Sequence, residues 1–231
     1  MVIHTSDALN ARFATQSAQD IVGVAVTELF PERIALVSSF GTESAVLLHM
    51  IARIDRATPV LFLDTLKHFN ETLDYRDRLI ARLRLEDVRS IRPATSDIIA
   101  RDPDGMLWAR DADACCDLRK TRPLADEIMR FKALFTGRKR HHGDTRARLD
   151  FFEDDGARIK VNPLVHWHAG DVGAYLEKHG LPAHPLRDQG YPSVGCAVCT
   201  SRVSAGEDFR AGRWRGSGKV ECGLHKSQDG S

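Results

Sequence analysis

Short, continuous apolar runs that alternate with helical segments constrain the fold of this 231-residue chain most strongly. Ile34–Val37 and Val60–Leu63 are apolar at every position, as expected of strands that are buried on both faces. Ala45–Ala52 and Glu71–Leu85 follow them with helical patterns. Further strands are expected at residues 88–91, 133–136 and 158–161. This alternation predicts an α/β fold with a doubly wound, mostly parallel sheet.

The two ends of the chain are less regular than its centre. Residues 6–30 are expected to form short amphipathic helices that end near Pro31. Asp171 is predicted to be the N-cap of a short helix ending near Gly180, and an ordered loop rich in proline and glycine follows. We expect residues 1–213 to form a single domain. Residues 214–231 are expected to form a flexible tail, because the basic segment before them is rich in glycine.

Composition narrows the classes of function. The formal net charge is +1, which argues against a protein that binds nucleic acid through bulk electrostatics. Met1–Asp7 lacks the pattern of a secretory signal, and no apolar run approaches the length of a membrane span. We therefore expect a cytoplasmic location, where clustered cysteines more often indicate metal or redox chemistry than disulfides.

Ser38–Ser44 is a loop of small residues between a buried strand and a helix. Backbone N–H groups and the positive helix end can hold a phosphate there, with the hydroxyl groups as additional donors. The loop lacks the lysine of a Walker motif, and a serine-rich turn in which Thr42 caps the helix is the alternative. Its position at the carboxyl end of the first strand favours a ligand site.

Four cysteines give the strongest chemical signal. Cys115 and Cys116 are neighbours, and Cys196 and Cys199 are separated by two residues. Four soft ligands indicate an iron–sulfur cluster or zinc, with unliganded cysteines as the remaining alternative. Adjacent side chains point apart on a regular backbone. A cubane with four separate iron corners therefore accommodates this pair more easily than one zinc ion does.

Basic residues are concentrated near these motifs, which suggests that a polyanion binds there. Arg122 and Lys139 are the exceptions, because we expect both to lie on a solvated face. The remaining basic candidates are Arg119 and Lys120 after the cysteine pair, Arg138 and Arg140 after the fourth strand, and Arg210 and Arg213 before the tail.

A fifth cysteine, Cys222, lies on the tail beside Glu221 and close to His225. A cysteine on a mobile segment is poorly placed for core packing but can reach a site built elsewhere in the chain. Nearby cations or an imidazolium would lower its pKa and make it nucleophilic. Glu221 would raise the pKa of that thiol, so Glu221 is not expected to activate it.

Together these motifs resemble the assimilatory adenylyl-sulfate and phosphoadenylyl-sulfate (APS/PAPS) reductase family. The resemblance runs in order from about Ser38 to His225. Its most specific part is the cysteine set with the Glu-Cys-Gly-Leu-His tail. The matching residues are Ser39–Ser44, Leu63–Thr65, Glu71, Thr72, Cys115–Lys120, Pro123, Leu124, Thr136, Gly137, Asn162–Leu164, Trp167, Gly190, Tyr191, Gly195–Thr200, Gly206–Asp208, Arg210, Arg213, Trp214 and Lys219–His225.

The resemblance implies a PP-loop type of adenine-nucleotide-binding sheet, APS as substrate and one [4Fe-4S] cluster per chain on the four cysteines. It implies that Cys222 attacks the sulfate, that His225 assists, and that a thiol donor such as thioredoxin releases sulfite. It also leaves a homo-oligomer open. The implied substrate-binding residues are Ser38, Ser39, Phe40, Gly41, Thr42, Glu43, Ser44, Leu63, Asp64, Arg119, Lys120, Arg138, Arg140, Arg210 and Arg213.

One segment departs from the family pattern. His141-His142-Gly143 stands where the family typically has a glutamine, which puts ligand contacts by this loop in question. Three alternatives stay open: a reductase of the same family that uses PAPS, an iron–sulfur tRNA-thiolating enzyme, and a non-catalytic metal-binding module. The thiolating enzymes typically have a Ser-Gly-Gly-x-Asp-Ser loop, and the Phe40–Glu43 segment of this chain differs from that motif.

Overall fold

The structure is a computed structural model that describes residues 5–143, 146–219, 221 and 223. Among these residues six strands form one sheet in the order β3-β2-β1-β4-β6-β5. Every neighbouring pair is parallel except β5 with β6. The predicted α/β fold with a mostly parallel sheet is confirmed. The strands are β1 (Ile34–Ser38), β2 (Val60–Leu63), β3 (Val88–Ile91), β4 (Ala133–Phe135), β5 (Phe152–Asp154) and β6 (Ile159–Val161).

Helices cover both faces of the sheet. The side chains of β1 alternate between two apolar clusters, since Ile34 and Leu36 lie in the larger one and Ala35 lies in the smaller one. The larger cluster includes residues of α1 to α4 and α9, and the smaller one includes Leu124 of α8. The helices are α1 (Ser6–Phe13), α2 (Ala18–Val24), α3 (Ser44–Ile54), α4 (Asn70–Leu83), α5 (Thr95–Arg101), α6 (Leu107–Arg110), α7 (Ala112–Cys116), α8 (Arg122–Ile128) and α9 (Ala169–Lys178).

The direction of the chain changes at β1. From β1 the sheet extends through β2 to β3, and the chain then returns to place β4 on the other side of β1. Open α/β sheets bind ligands in the crevice that forms at such a point, outside the carboxyl ends of the strands. The fold therefore predicts a ligand site at the loop that follows β1.

The structure agrees with most of the predicted elements and corrects one helix start. α9 begins after His168 as its N-cap, and Asp171 lies at the third helical position, where its carboxylate accepts from the His168 backbone N–H. The prediction of Asp171 as the N-cap was wrong by one turn. Sequence analysis also missed β5, because this three-residue edge strand has no continuous apolar run to reveal it. None of the described helices is long and apolar enough to cross a membrane.

A buried histidine joins α4 to the loop that returns towards the site. His184 is fully buried, its Nδ1 accepts from the Leu186 backbone N–H, and its Nε2 lies 3.1 Å from the Thr72 hydroxyl. Because Nδ1 accepts, the neutral ring donates from Nε2. A protonated ring would place a second N–H against that of Leu186. Burial lowers the pKa of His184 to about 4, with Arg78 acting in the same direction.

We predict that His184 makes folding pH-dependent. Between pH 6.5 and about 4, His184 binds a proton in the unfolded chain but not in the folded protein. The free energy of unfolding therefore decreases as pH falls through this range. The shift corresponds to roughly 3 kcal/mol at most. His184→Gln should be less stable than the wild type at pH 7.5, and the gap in Tm should narrow towards pH 5. Gln189→Ala, an exposed and uncharged position in the same returning segment, should keep the wild-type slope. Parallel curves for wild type and His184→Gln would refute the assignment.

Candidate active site

The loop between β1 and α3 is held in an unusual conformation. Phe40 has a left-handed φ of 49°, although its ring is fully buried and meets Phe62 edge-on at 5.5 Å. The Ser38 hydroxyl accepts from the Phe40 backbone N–H. A Cβ at Gly41 would lie 3.3 Å from the Val194 carbonyl oxygen. The loop therefore lies tightly against the segment around Val194, with its main-chain groups fixed in place.

One interpretation of the sequence was that Thr42 caps α3, and the structure shows that it does not. Its hydroxyl donates to the Pro192 carbonyl oxygen at 2.6 Å, which joins the loop to the chain segment before Cys196. The N-cap of α3 is Glu43, and no side chain in the described part of the protein caps it. The Ser44 and Val46 backbone N–H groups of the first turn donate to the carbonyl oxygens of Gly41 and Glu43. What this end of α3 offers an anion is therefore mainly the positive end of the helix dipole.

A cavity of about 240 Å³ opens above this loop at the reversal point of the sheet. Eleven of the fifteen implied substrate-binding residues line it. The four that do not are Phe40 in the core, Asp64 paired with Arg92, Arg119 beneath the cysteines, and Arg140 paired with Asp150. The eleven are Ser38, Ser39, Gly41, Thr42, Glu43, Ser44, Leu63, Lys120, Arg138, Arg210 and Arg213. We call this cavity the nucleotide cavity below.

In the wall of the nucleotide cavity a partly buried acid lies between two buried basic side chains. Glu43 Oε2 lies 2.8 Å from Lys139 Nζ and 3.2 Å from His142 Nε2. Burial opposes ionisation of Glu43, but the contacts from His142 and Lys139 outweigh it and lower the pKa of Glu43 to about 2. Lys139 is 1% exposed, so its predicted place on a solvated face was wrong. Arg122, with the same expectation, is 56% exposed as predicted.

His142 belongs to the segment that departs from the family pattern. Its ring stacks on Phe209 at 4.8 Å, with the two planes 6° apart, and both residues line the cavity. Sequence analysis left ligand contacts by this segment in question and gave no role to Phe209. The unusual His141-His142 pair was the sequence signal that pointed to a role for His142. Nothing in the sequence distinguishes Phe209 from an ordinary core phenylalanine.

A buried arginine, Arg146, and a partly buried one, Arg210, contact the carboxylate beside the tail cysteine. Glu221 Oε2 accepts from Arg146 Nε at 2.7 Å and lies 2.6 Å from a terminal nitrogen of the same guanidinium. A terminal nitrogen of Arg210 lies 3.6 Å from Glu221 Oε1. Burial lowers the pKa of Arg210 to about 10, and the charge of Arg146 acts in the same direction. Sequence analysis missed Arg146, because nothing marks it among the neighbouring arginines.

Cys222 and His225 lie outside the described residues, so the structure gives no contact for either side chain. Glu221 does line the nucleotide cavity. The residue before Cys222 is therefore anchored at the mouth of that cavity.

The four other cysteines surround a second, smaller cavity. Cys115 and Cys116 are adjacent, yet both are buried, because α7 ends at Cys116 and a π-helical turn follows it. Cys196 and Cys199 lie at the two ends of a short 3₁₀ turn, and all four cysteines are free thiols. The sequence prediction that the two pairs converge is consistent with this arrangement. We call this the cysteine cavity.

Cations surround the cysteine cavity. Arg119 and Lys120 line it, and Lys219 hydrogen-bonds Cys116. The Arg119 guanidinium is 4% exposed, and its Nε has no hydrogen-bond partner among the residues the structure describes. Four thiols ringed by positive charge suit a group that is anionic when bound to thiolates, as an iron–sulfur cluster is. As arranged, no three His, Cys, Asp or Glu side chains of the described residues are placed to hold a metal ion.

The two cavities share a wall. Lys120, Cys196 and Trp214 line both of them. Trp214 is 6% exposed and contacts Cys116, and the Arg213 guanidinium carbon lies 4.6 Å from the centre of its ring. The site thus brings together the Ser38–Ser44 loop, the four thiols and the anchored Glu221 around one lysine.

Comparison with known proteins agrees with this geometry. Residues 33–202 match the model of the phosphoadenosine phosphosulfate reductase domain. An adenosine 5'-phosphosulfate reductase from Mesorhizobium japonicum is 50% identical over 219 residues, covering 95% of this chain and 86% of the relative. A reductase of the same name from Chelativorans is 47% identical, with 94% and 89% covered.

Solved structures show the same fold. The phosphoadenylyl-sulfate (PAPS) reductase of Candida auris, in a phosphate complex, superposes with a TM-score of 0.72 at 26% identity, covering 88% of this chain and 99% of that one. The FMN adenylyltransferase of Candida glabrata, at 18% identity and a TM-score of 0.56, shares the fold alone, with 85% of this chain and 66% of that one covered. The family resemblance seen in the sequence motifs is confirmed. This chain belongs to the phosphoadenosine phosphosulfate reductase domain family, together with the adenosine 5'-phosphosulfate reductases.

Proposed function

We propose that this protein reduces adenosine 5'-phosphosulfate (APS) to sulfite and AMP, with electrons from a thiol donor such as thioredoxin. The observation that carries the proposal is the shared wall of the nucleotide and cysteine cavities, with the residue before Cys222 anchored at the mouth of the first. The names of the curated relatives support APS as the substrate. A small-molecule reductase of this kind needs neither nucleic acid nor a membrane.

The nucleotide cavity offers a place for each part of APS. The 5'-phosphate would lie on the Ser38–Ser44 loop, where main-chain N–H groups and the positive end of α3 stabilise negative charge. The adenine would lie near Leu63. The sulfate would face Lys120, Arg210 and Arg213, whose charges stabilise an oxyanion.

The tail would supply the nucleophile. The Cys222 thiolate attacks the sulfate sulfur, a sulfur–sulfur bond forms, and the bond from sulfur to the phosphate oxygen breaks. AMP leaves with that electron pair, and the cysteine thiosulfonate remains. A donor thiolate then attacks the Cys222 sulfur, and sulfite leaves with the electron pair of the sulfur–sulfur bond. A second donor thiol resolves the mixed disulfide, so the donor is oxidised to a disulfide and Cys222 is regenerated.

Glu221 gains a role that sequence analysis did not give it. Its salt bridges with Arg146 and Arg210 would hold the tail over the cavity while Cys222 reacts. Residues 214–231 would move as the tail, with Trp214 as its packed base. Gly216 and Gly218, both with positive φ, would let it open to meet the donor. His225 would lie close enough to Cys222 along the chain to assist it.

Cys115, Cys116, Cys196 and Cys199 would hold one [4Fe-4S] cluster. When bound, the cluster supplies a fixed charged group beside Lys120, and the reaction's electrons come from the thiol donor. Lys120 itself lines both cavities and would direct its ammonium group to the sulfate. Free thiols at all four positions suit a reducing compartment, and we retain the cytoplasm as the proposed location.

The function is tested by sulfite release from APS and from PAPS, with reduced thioredoxin supplied. We expect APS to be turned over far better than PAPS. Arg213→Ala should lower kcat/KM for APS by about tenfold or more, because a charge-assisted hydrogen bond to a charged group contributes roughly 1.5–3 kcal/mol. Arg122→Ala, at an exposed position away from both cavities, is the matched control. Equal or better turnover of PAPS would refute the substrate assignment, and release of AMP only from added ATP would favour an adenylating enzyme.

The cofactor is tested by metal analysis. Protein purified without oxygen should be brown and contain about four iron atoms and matching sulfide per chain, the stoichiometry of a cubane on four cysteines. Cys196→Ser should lose most of this iron, whereas Cys222→Ser should keep it, because Cys222 is not among the four. One equivalent of zinc without sulfide would contradict the assignment.

A further inference from the structure

A third cavity, of about 290 Å³, lies on the outer surface between α2, α3 and α9. We call it the α3–α9 cavity. None of the residues that line it also lines the nucleotide cavity or the cysteine cavity. Its wall includes the side chains of Met50 and Ile54, and Ile54 is 45% exposed. The function proposed above makes no use of this surface.

Three rings form a fixed side of the α3–α9 cavity. His49 Nδ1 lies 2.9 Å from the Tyr175 hydroxyl. The ring of His179 lies 4.7 Å from that of His49 and 4.3 Å from that of Tyr175, measured between centroids. Tyr175 is only 8% exposed and belongs to the main core, so this side of the cavity is anchored in the body of the protein.

The rim of the α3–α9 cavity is cationic. Arg53 and Lys178 line it, Arg82 of α4 lies nearby, and none of the three forms a salt bridge with any residue that the structure describes. The lining contains no carboxylate. Burial lowers the pKa of His49, and the charges that act on it are those of His179, Arg53 and Arg82, which lower it further. Elsewhere, by contrast, Arg89 and Arg119 both meet carboxylates.

We propose that the α3–α9 cavity binds a small organic anion that carries a phosphate or sulfate group. The charged group would lie on the rim formed by Arg53 and Lys178, whose positive charges no carboxylate of the lining offsets. A flat apolar part would lie against Ile54 and Met50. Small-molecule sites commonly combine apolar walls with a few polar groups that fix orientation. A nucleoside monophosphate has both parts and a size that suits the cavity.

The test uses the ring signals of His49 and His179 in NMR spectra of the full protein, titrated separately with AMP and with inorganic phosphate. Both signals should shift saturably with AMP, and the apparent Kd for AMP should be at least about tenfold lower than that for phosphate. Arg53→Ala/Lys178→Ala should weaken AMP binding at these signals by about tenfold or more. Ile54→Ser should weaken the binding of AMP but not of phosphate.

The charge-matched control is Arg33→Ala/Lys132→Ala, at two exposed positions outside all three cavities. It should bind AMP like the wild type. Equal weakening in this control, or shifts that never saturate, would show a general salt effect and overturn the site. Equal affinity for AMP and phosphate would overturn the apolar part of the proposal. Sulfite release from APS should be unchanged in the rim variant, which keeps a failure here distinct from a failure of the proposed function.

Discussion

Buried positive charge at the carboxyl edge of the sheet is the constraint on which the site depends. An unpaired charge costs several kcal/mol to bury, so the buried cations at this edge need partners. The structure supplies them one by one. Glu43 meets Lys139, Glu221 meets Arg146, and Asp102 meets Arg119 at 2.6 Å. These carboxylates neutralise the buried cations, and Glu43 does so from within the Ser38–Ser44 loop itself.

The same arrangement links the fold to the chemistry. Because the chain reverses its direction beside β1, the loop after β1, the segment after β4 and the returning segment before Cys196 meet at one place. Thr42 and the buried His184 fix that returning segment from both sides. It carries Cys196 to the wall that the two cavities share. The nucleotide cavity and the cysteine cavity therefore lie on either side of Lys120.

The sequence correctly predicted the features that depend on residues close together in the chain. Five of the six strands of the described sheet were predicted, and continuous apolar runs marked the two central ones, β1 and β2, because strands buried on both faces need such runs. It failed where a residue's environment depends on a distant partner. Lys139 was predicted to be solvated, but its partner Glu43 lies 96 positions away. Arg146 is 75 positions from Glu221, and no local pattern could have joined them.

The most direct test of the account is a single turnover with APS and no thiol donor, followed by mass spectrometry. Cys222 should gain one SO₃ unit as AMP appears, and Cys222→Ser should form no adduct. Glu221→Gln should form the adduct about tenfold more slowly or worse, because two charge-assisted contacts that anchor the tail are lost. Glu207→Gln, an exposed partner of Arg215 in the preceding loop, should match the wild type. An adduct on a cysteine other than Cys222, or an unchanged rate in Glu221→Gln, would contradict the account.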